Sequence, residues 1–315
     1  MEYENALKLK EKLLRDHEGI VLDDLIHGKE ITTDSGTCYS IENRSKLKLN
    51  MLNPDIAREK ILSDLKLLSG IGEAREWKLR SEGYETIEDL VEHDKFGREA
   101  SECLEIIDGS NKCDISDWIS NWYPKSHPMV LFSSSFSEDK DFIFLDIETL
   151  GFFNVPIILL GIAKVESNEI YVNQYLSRRI SEESAVLDAF LANIEPESVF
   201  VTFNGQTFDM PYILNRMKYF GFKRNLQKLH FDILHFSRRT WSDELPNCKL
   251  TTIENHLFGI EREDDVPSGL VPDFYKTYIK TQNIGPLVPI IEHNRQDIIT
   301  LALIFSRLHD EYSTY

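Results

Sequence analysis

The sequence has no apolar run approaching the roughly 18 residues that a membrane-spanning helix requires. Its longest candidate, VPIILLGIA, is short and is followed by Lys164. No membrane partner is therefore expected. The opening stretch, MEYENALKLKEKLLRDHEG, is charged throughout and lacks the apolar segment of a secretory leader, which points to the cytoplasm. Cysteine is scarce: Cys38, Cys103, Cys113 and Cys248 are scattered, without the paired spacing of a zinc site or the density of a disulfide scaffold. Positive charge is in deficit, with 35 Lys and Arg against 53 Asp and Glu and a formal net charge of −18. That balance argues against extensive non-specific wrapping of duplex nucleic acid. It leaves room for a protein that grips a few phosphates locally and holds others through bound cations. No internal repeat is evident.

The 315 residues, 42% of them hydrophobic, suffice for one sizeable core with a smaller domain beside it. Residues 3 to 27 have helical periodicity, two β-prone runs around Asp34, Ser35 and Gly36 predict a hairpin at about 30–42, and residues 53 to 119 read as short helices. The Ser/Pro-rich stretch YPKSHPMVLFSSSFS, Tyr123 to Ser137, reads as a linker or loosely held strand. A domain boundary is placed there, giving 1–137 and 138–315. From Phe142 the runs FIFLDI, IILLGIAKV, IYVNQYL, SVFVTF and LHFDI are strand-like and alternate with helical segments. The second domain is thus expected to be α/β, a mixed sheet with covering helices, and the first smaller and mainly helical.

The first of these strands ends at Asp146-Ile147-Glu148, and a pleated backbone sends positions two apart to one side. Alone, this D-x-E is equally well a cap or a surface ion-pair partner. Asp209 comes after the turn Asn204-Gly205 at the start of a helix and alone reads as an N-cap. In VPIIEHNRQDIITLALIFSRL, His293 and Asp297 lie one turn apart on one helix face, and alone are a plain surface pair. The conjunction changes the reading. Four acids and a histidine fit a single cleft, and clustered carboxylates repel unless a hard divalent cation neutralises them. Oxygen donors favour magnesium or manganese over zinc. Asp232 is expected to make a structural hydrogen bond, and Asp264 and Asp265 to form a solvated turn.

The order D-x-E, N-x4-D, H-x3-D resembles the ribonuclease H-like exonucleases with four catalytic acids, the DEDD superfamily. The stretches FDILHFSRRTW, LPNCKLTTIENHLFGIEREDDVPSGLVPDFYKTYI and IEHNRQD resemble, more closely, the YprB-like family of predicted 3′→5′ exonucleases. The resemblance implies a metal-dependent 3′→5′ exonuclease acting on single-stranded ends, DNA first and RNA as the alternative. It implies two divalent ions, Mg²⁺ or Mn²⁺, held by Asp146, Glu148, Asp209 and Asp297, with Asp146 bridging and Asp209 acting largely through water. It casts His293 as the base, in the H-x3-D slot where the tyrosine-using branch has tyrosine. An RNase or structure-specific endonuclease would use the same residues, and a non-catalytic interaction module would share the fold. Arg238 and Arg239 are read either as a phosphate or base contact or as a pair offsetting nearby acids.

Residues 65–93, LKLLSGIGEAREWKLRSEGYETIEDLVEH, resemble a helix-hairpin-helix element. Gly70 and Gly72 would bring backbone N–H groups to a phosphate at a helix N-terminus, with Arg75 and Lys78 adding positive charge. Leu79 is the expected core residue, Gly83 the stop, and Thr86 with Asp89 a capping signal for a second helix. Glu76 departs from the pattern, standing where a small residue is usual. Asn204 is a further candidate for nucleic-acid contact.

Overall fold

A computed structural model of the chain describes residues 2–109 and 112–314. It forms two compact units, neither of them a continuous stretch: Met1–Leu49 with Asp139–Leu234 and Trp241–Phe305, and Asn50–Glu138 with His235–Thr240 and Ser306–Tyr315.

In the first unit the described residues give a seven-stranded sheet. Its strands are β1 (Gly28–Thr33), β2 (Gly36–Lys46), β3 (Phe142–Thr149), β4 (Ile157–Glu166), β5 (Glu169–Leu176), β6 (Val199–Thr202) and β7 (His230–Asp232), in the order β1-β2-β5-β4-β3-β6-β7. β1 through β3 pair antiparallel along that order, while β3, β6 and β7 run parallel. The near-continuous apolar run of β3 is explained by its place between β4 and β6, with both faces covered. One face packs Ile143, Leu145 and Phe200 against the helices Glu183–Leu191 and Asp209–Phe220. The other buries Ile158 and Leu159 with Tyr39, Leu13, Phe274, Tyr275 and Ile290.

The hairpin expected at about 30–42 is present, but it does not belong to a domain ending at residue 137. β2 pairs with β5 from Tyr39↔Leu176 to Lys46↔Glu169, so the hairpin completes the sheet. An unpaired β5 edge would leave a row of backbone groups open, and the hairpin fills it.

The second unit is helical, with Pro54–Leu62, Glu73–Ser81, Gly97–Gly109, Lys112–Ser120 and Pro128–Phe132. The last of these corrects the linker reading. His127 caps a helix whose first residue is Pro128, and Met129 through Phe132 are buried. Ser133 and Ser134 are buried too, because their hydroxyls donate to the carbonyls of Val130 (2.6 Å) and Leu131 (2.7 Å) and carry no unmet polarity inward. His309 bridges the same region, accepting from the Leu52 N–H at 3.2 Å and meeting Ser134 Oγ at 3.0 Å. Among the described residues no helix is long and apolar enough to cross a membrane.

Candidate active site

Asp146 and Glu148 lie at the end of β3, where a register shift between Glu148 and Thr149 breaks the regular pairing with β4. Asp209 opens the helix Asp209–Phe220, and its Oδ1 accepts from the Ile147 N–H at 3.3 Å. His293 and Asp297 come from the long helix Leu287–Ser313. That helix reaches the sheet because residue 161, opposite Asp146 in the register, is glycine. A Cβ there would stand 2.2 Å from Asn294 Oδ1 and 2.3 Å from Ile298 Cδ1. Asn294 uses the room: its amide nitrogen donates to Asp146 Oδ2 (2.7 Å) and to the Asp146 carbonyl (3.1 Å), while its oxygen accepts from Gln174 (2.8 Å).

Glu148, Asp209 and His293 are buried, and Asp146 and Asp297 keep partial solvent contact. Burial, then the charges of Asp297, Glu148 and Asp209, push the Asp146 carboxyl well above the usual range, and the Asn294 bond only partly opposes this. Burial raises Glu148 to about 8, with His293 opposing and Asp297 and Asp209 adding to the rise. Burial also lifts Asp209 to about 7 against the stabilising N–H groups of its own residue and Ile147. His293 goes up to about 9: burial works against its charge, but the Asp265 hydrogen bond and the charges of Asp297 and Glu148 prevail.

The histidine ring is fixed on both sides. Nδ1 lies 2.7 Å from Asp265 Oδ1, and Nε2 faces Asp297 Oδ2 at 3.6 Å and Glu148 Oε1 at 3.9 Å. Asp265 is therefore not part of a solvated turn, and contact with the buried imidazole holds its carboxyl below the usual range. Arg262 also escaped the sequence reading. Its guanidinium donates to Glu254 Oε2 from Nε (3.0 Å) and Nη2 (2.5 Å), and Nη2 sits 2.6 Å from Asp297 Oδ1. The only local signal was a cation inside the acidic run E-R-E-D-D. Asp232, as expected, is structural: its carboxylate accepts from the N–H groups of Asn204 (2.7 Å), Gln206 (3.1 Å) and Leu234 (3.3 Å).

As the side chains stand, no three His, Cys, Asp or Glu among the described residues are placed to hold one ion in common. The physical reason is that each acid already has another tie: Asp146 with Asn294, Asp209 with the Ile147 amide, Glu148 with His293, Asp297 with Arg262. The donor set nevertheless fits a hard cation. It is all oxygen, its members repel one another, and Asp297 Oδ1 is buried with no aligned hydrogen bond, held chiefly by the charge of Arg262.

The remaining expected residues make none of these contacts. Asn204 is exposed, has a positive φ of 66°, and shapes the turn before Asp209. Arg238 and Arg239 are exposed within His235–Thr240, which belongs to the helical unit. In that unit Gly70 has φ +75° and its carbonyl accepts from the Arg75 guanidinium; Gly72 caps the helix Glu73–Ser81, and Lys78 pairs with Glu82 at 3.6 Å. Leu79 is buried and Gly83 has φ +95°. Thr86 and Asp89 do cap each other, but the segment they cap is a single 3₁₀ turn, Glu88–Leu90, and not a helix. Glu76 serves to hold Arg80 at 2.9 Å.

Comparison with known proteins agrees with this architecture. The chain is 31% identical over 199 residues to the uncharacterized protein YprB of Bacillus subtilis (strain 168), a match covering 61% of this chain and 47% of that protein. It is 27% identical over 158 residues to a DNA polymerase of Pyrococcus glycovorans, covering 40% of this chain and 20% of the polymerase, and 26% identical over 159 residues to DNA polymerase 1 of Pyrococcus abyssi, with the same coverage. The chain thus spans about half the length of the Bacillus relative and about a fifth of the polymerases. The family model RNase_H_2, of the RNase_H superfamily, matches residues 143–309, more than half of the chain and a range that includes Asp146, Glu148, Asp209, His293 and Asp297. By that match the chain belongs to the RNase_H_2 family of the RNase_H superfamily.

Proposed function

We propose that the chain is a divalent-metal-dependent nuclease that hydrolyses phosphodiester bonds at the 3′ ends of single-stranded nucleic acid, DNA by preference. One observation carries this reading: four carboxylates from three elements are brought together, Asp209 on the Ile147 N–H between Asp146 and Glu148, and Glu148 and Asp297 around His293 Nε2, close enough that the charges of the other three help to push Asp146 up. Such an arrangement is costly without a cation to neutralise it. Asp146, Glu148, Asp209 and Asp297 would hold two Mg²⁺ or Mn²⁺ ions, which would neutralise the acids, polarise the attacking water and stabilise the leaving oxygen.

The chain's own groups do the rest. Asn294 fixes the Asp146 carboxylate by donating to Oδ2 at 2.7 Å, and the Ile147 N–H fixes Asp209. Asp265 occupies His293 Nδ1, leaving Nε2 as the nitrogen that faces the pocket and would take the proton of the attacking water. In the helical unit, the glycine turn Gly70–Gly72 at the N-terminus of Glu73–Ser81 would take a phosphate by itself, with Arg75 and Lys78 nearby. The 3′→5′ polarity and the single-stranded substrate rest on family resemblance. The histidine assignment rests on geometry.

End-labelled single- and double-stranded DNA and RNA, incubated with Mg²⁺ or Mn²⁺ and resolved by length, test the reading. Stepwise shortening from the 3′ end of single-stranded DNA is expected. Internal fragments would favour the endonuclease alternative, and intact substrate in every arm would sink the reading.

A further inference from the structure

We propose that Arg262 is a built-in counter-ion that holds Asp297 in the metal-free protein and has to release it when a divalent cation binds. The inference rests on the metal-dependent reading above and concerns this chain's own residue. Three observations converge on it. The guanidinium is 2.6 Å from Asp297 Oδ1, yet no N–H is well aligned with that oxygen, so the contact is chiefly one of charge. The grip on Glu254 is of a different kind, two donors on one oxygen of a carboxylate that is 0% exposed. Glu254 thus anchors the arginine, while Asp297 is the partner it can lose.

The third observation is room to move. Arg262 lines a pocket of about 270 Å³ whose wall includes the acids Glu261, Glu263, Asp264, Asp265 and Glu292. A guanidinium swinging away from Asp297 would enter an acidic surround and would not be left desolvated without a counter-charge. The exchange is also balanced in charge: a cation enters among carboxylates as a cation leaves one of them. Arg262 would therefore weaken metal binding and, in return, keep the empty carboxylate cluster from repelling itself apart.

Two measurements decide this. Calorimetric titration of Mn²⁺ into the full chain and into Arg262→Gln should show tighter binding to the variant, by about tenfold, the free energy of one partly buried charge contact no longer displaced. The metal-free variant should also melt lower than wild type and gain more from saturating Mn²⁺. Equal or weaker Mn²⁺ affinity in a folded Arg262→Gln protein would overturn the proposal while leaving the metal site standing. No Mn²⁺ binding by either protein would overturn both. Should Arg262→Gln not fold, the wild-type protein still answers: the ¹⁵N signal of the Arg262 Nε–H should shift as Mg²⁺ saturates the site. A signal unmoved by Mg²⁺ that calorimetry shows to be bound would overturn the proposal.

Discussion

His293 and Asp265, distant in sequence, meet at 2.7 Å, so that one nitrogen of the imidazole is committed before any substrate arrives. That bond, with the charges of Asp297 and Glu148, carries the ring to about 9 in the metal-free protein despite its burial. Asp265→Asn should bring the ring back toward ordinary histidine values, and NMR titration of the imidazole without metal checks it. Bound cations act in the same direction, so the pH limb of activity is expected nearer neutrality than 9. His293→Ala should lower cleavage by about 10²-fold or more and remove that limb, with metal affinity nearly unchanged. His293→Tyr, matching the H-x3-D spacing of the tyrosine branch, should keep more activity than His293→Ala. Full rate and an unaltered pH profile in His293→Ala would show the histidine to be a bystander.

Asp146→Asn should reduce cleavage roughly 10²-fold or more by removing a carboxylate at the centre of the cluster. The same change relieves repulsion from Asp297, Glu148 and Asp209, so the metal-free variant should melt higher than wild type. Calorimetry in EDTA measures this, and a lower melting temperature would mean that the four charges are not in conflict.

The metal-free protein should lose stability between about pH 7 and pH 9. Glu148, raised to about 8, and His293, raised to about 9, both bind protons more tightly when folded than when unfolded. In that window the native state carries more protons than the unfolded one, so stability falls as pH rises. For His293 the contribution is complete below its unfolded value of about 6.5 and is lost through 9. His309, depressed to about 3 by burial, is neutral in both states there and does not oppose the trend. Denaturant titrations at pH 7, 8 and 9 give the slope directly; a flat or rising profile contradicts the assignment.

Gly161→Ala should cost stability and activity together. The new methyl would lie 2.2 Å from Asn294 Oδ1, and pushing the helix back costs about 1–3 kcal/mol as overpacking. Because Asn294 holds Asp146, the rate should fall even at temperatures where the variant is fully folded. A wild-type rate in a destabilised variant would separate packing from positioning.

The five strands from β3 to β7 were legible because each is a short apolar run with clear boundaries, and the acids because their spacings are local. The residues that tune the pocket were not. Asn294 reads as one more polar helix residue until Gly161, on another element, lets it approach Asp146. Asp265 reads as part of a solvated turn, and Arg262 draws no reading, because nothing local reports that His293 and Glu254 are buried beside them. Ser133 and Ser134 read as linker because composition does not reveal a hydroxyl satisfied by the carbonyl three residues earlier. The single 3₁₀ turn after Thr86 was missed for the opposite reason: a good cap does not guarantee the helix behind it.

The pairing of β2 with β5 also bears on how the chain comes to be folded. Tyr39 and Leu176 are partners in the sheet, yet the whole of Asn50–Glu138 lies between them in the chain. Closing so long a loop is entropically slow relative to the local hairpins β1–β2 and β4–β5, each of which can form by itself. During that delay β5 presents an open edge to other chains. A fragment beginning at residue 138, which looks like a natural place to cut, would keep that edge open permanently and should self-associate more readily than the full chain.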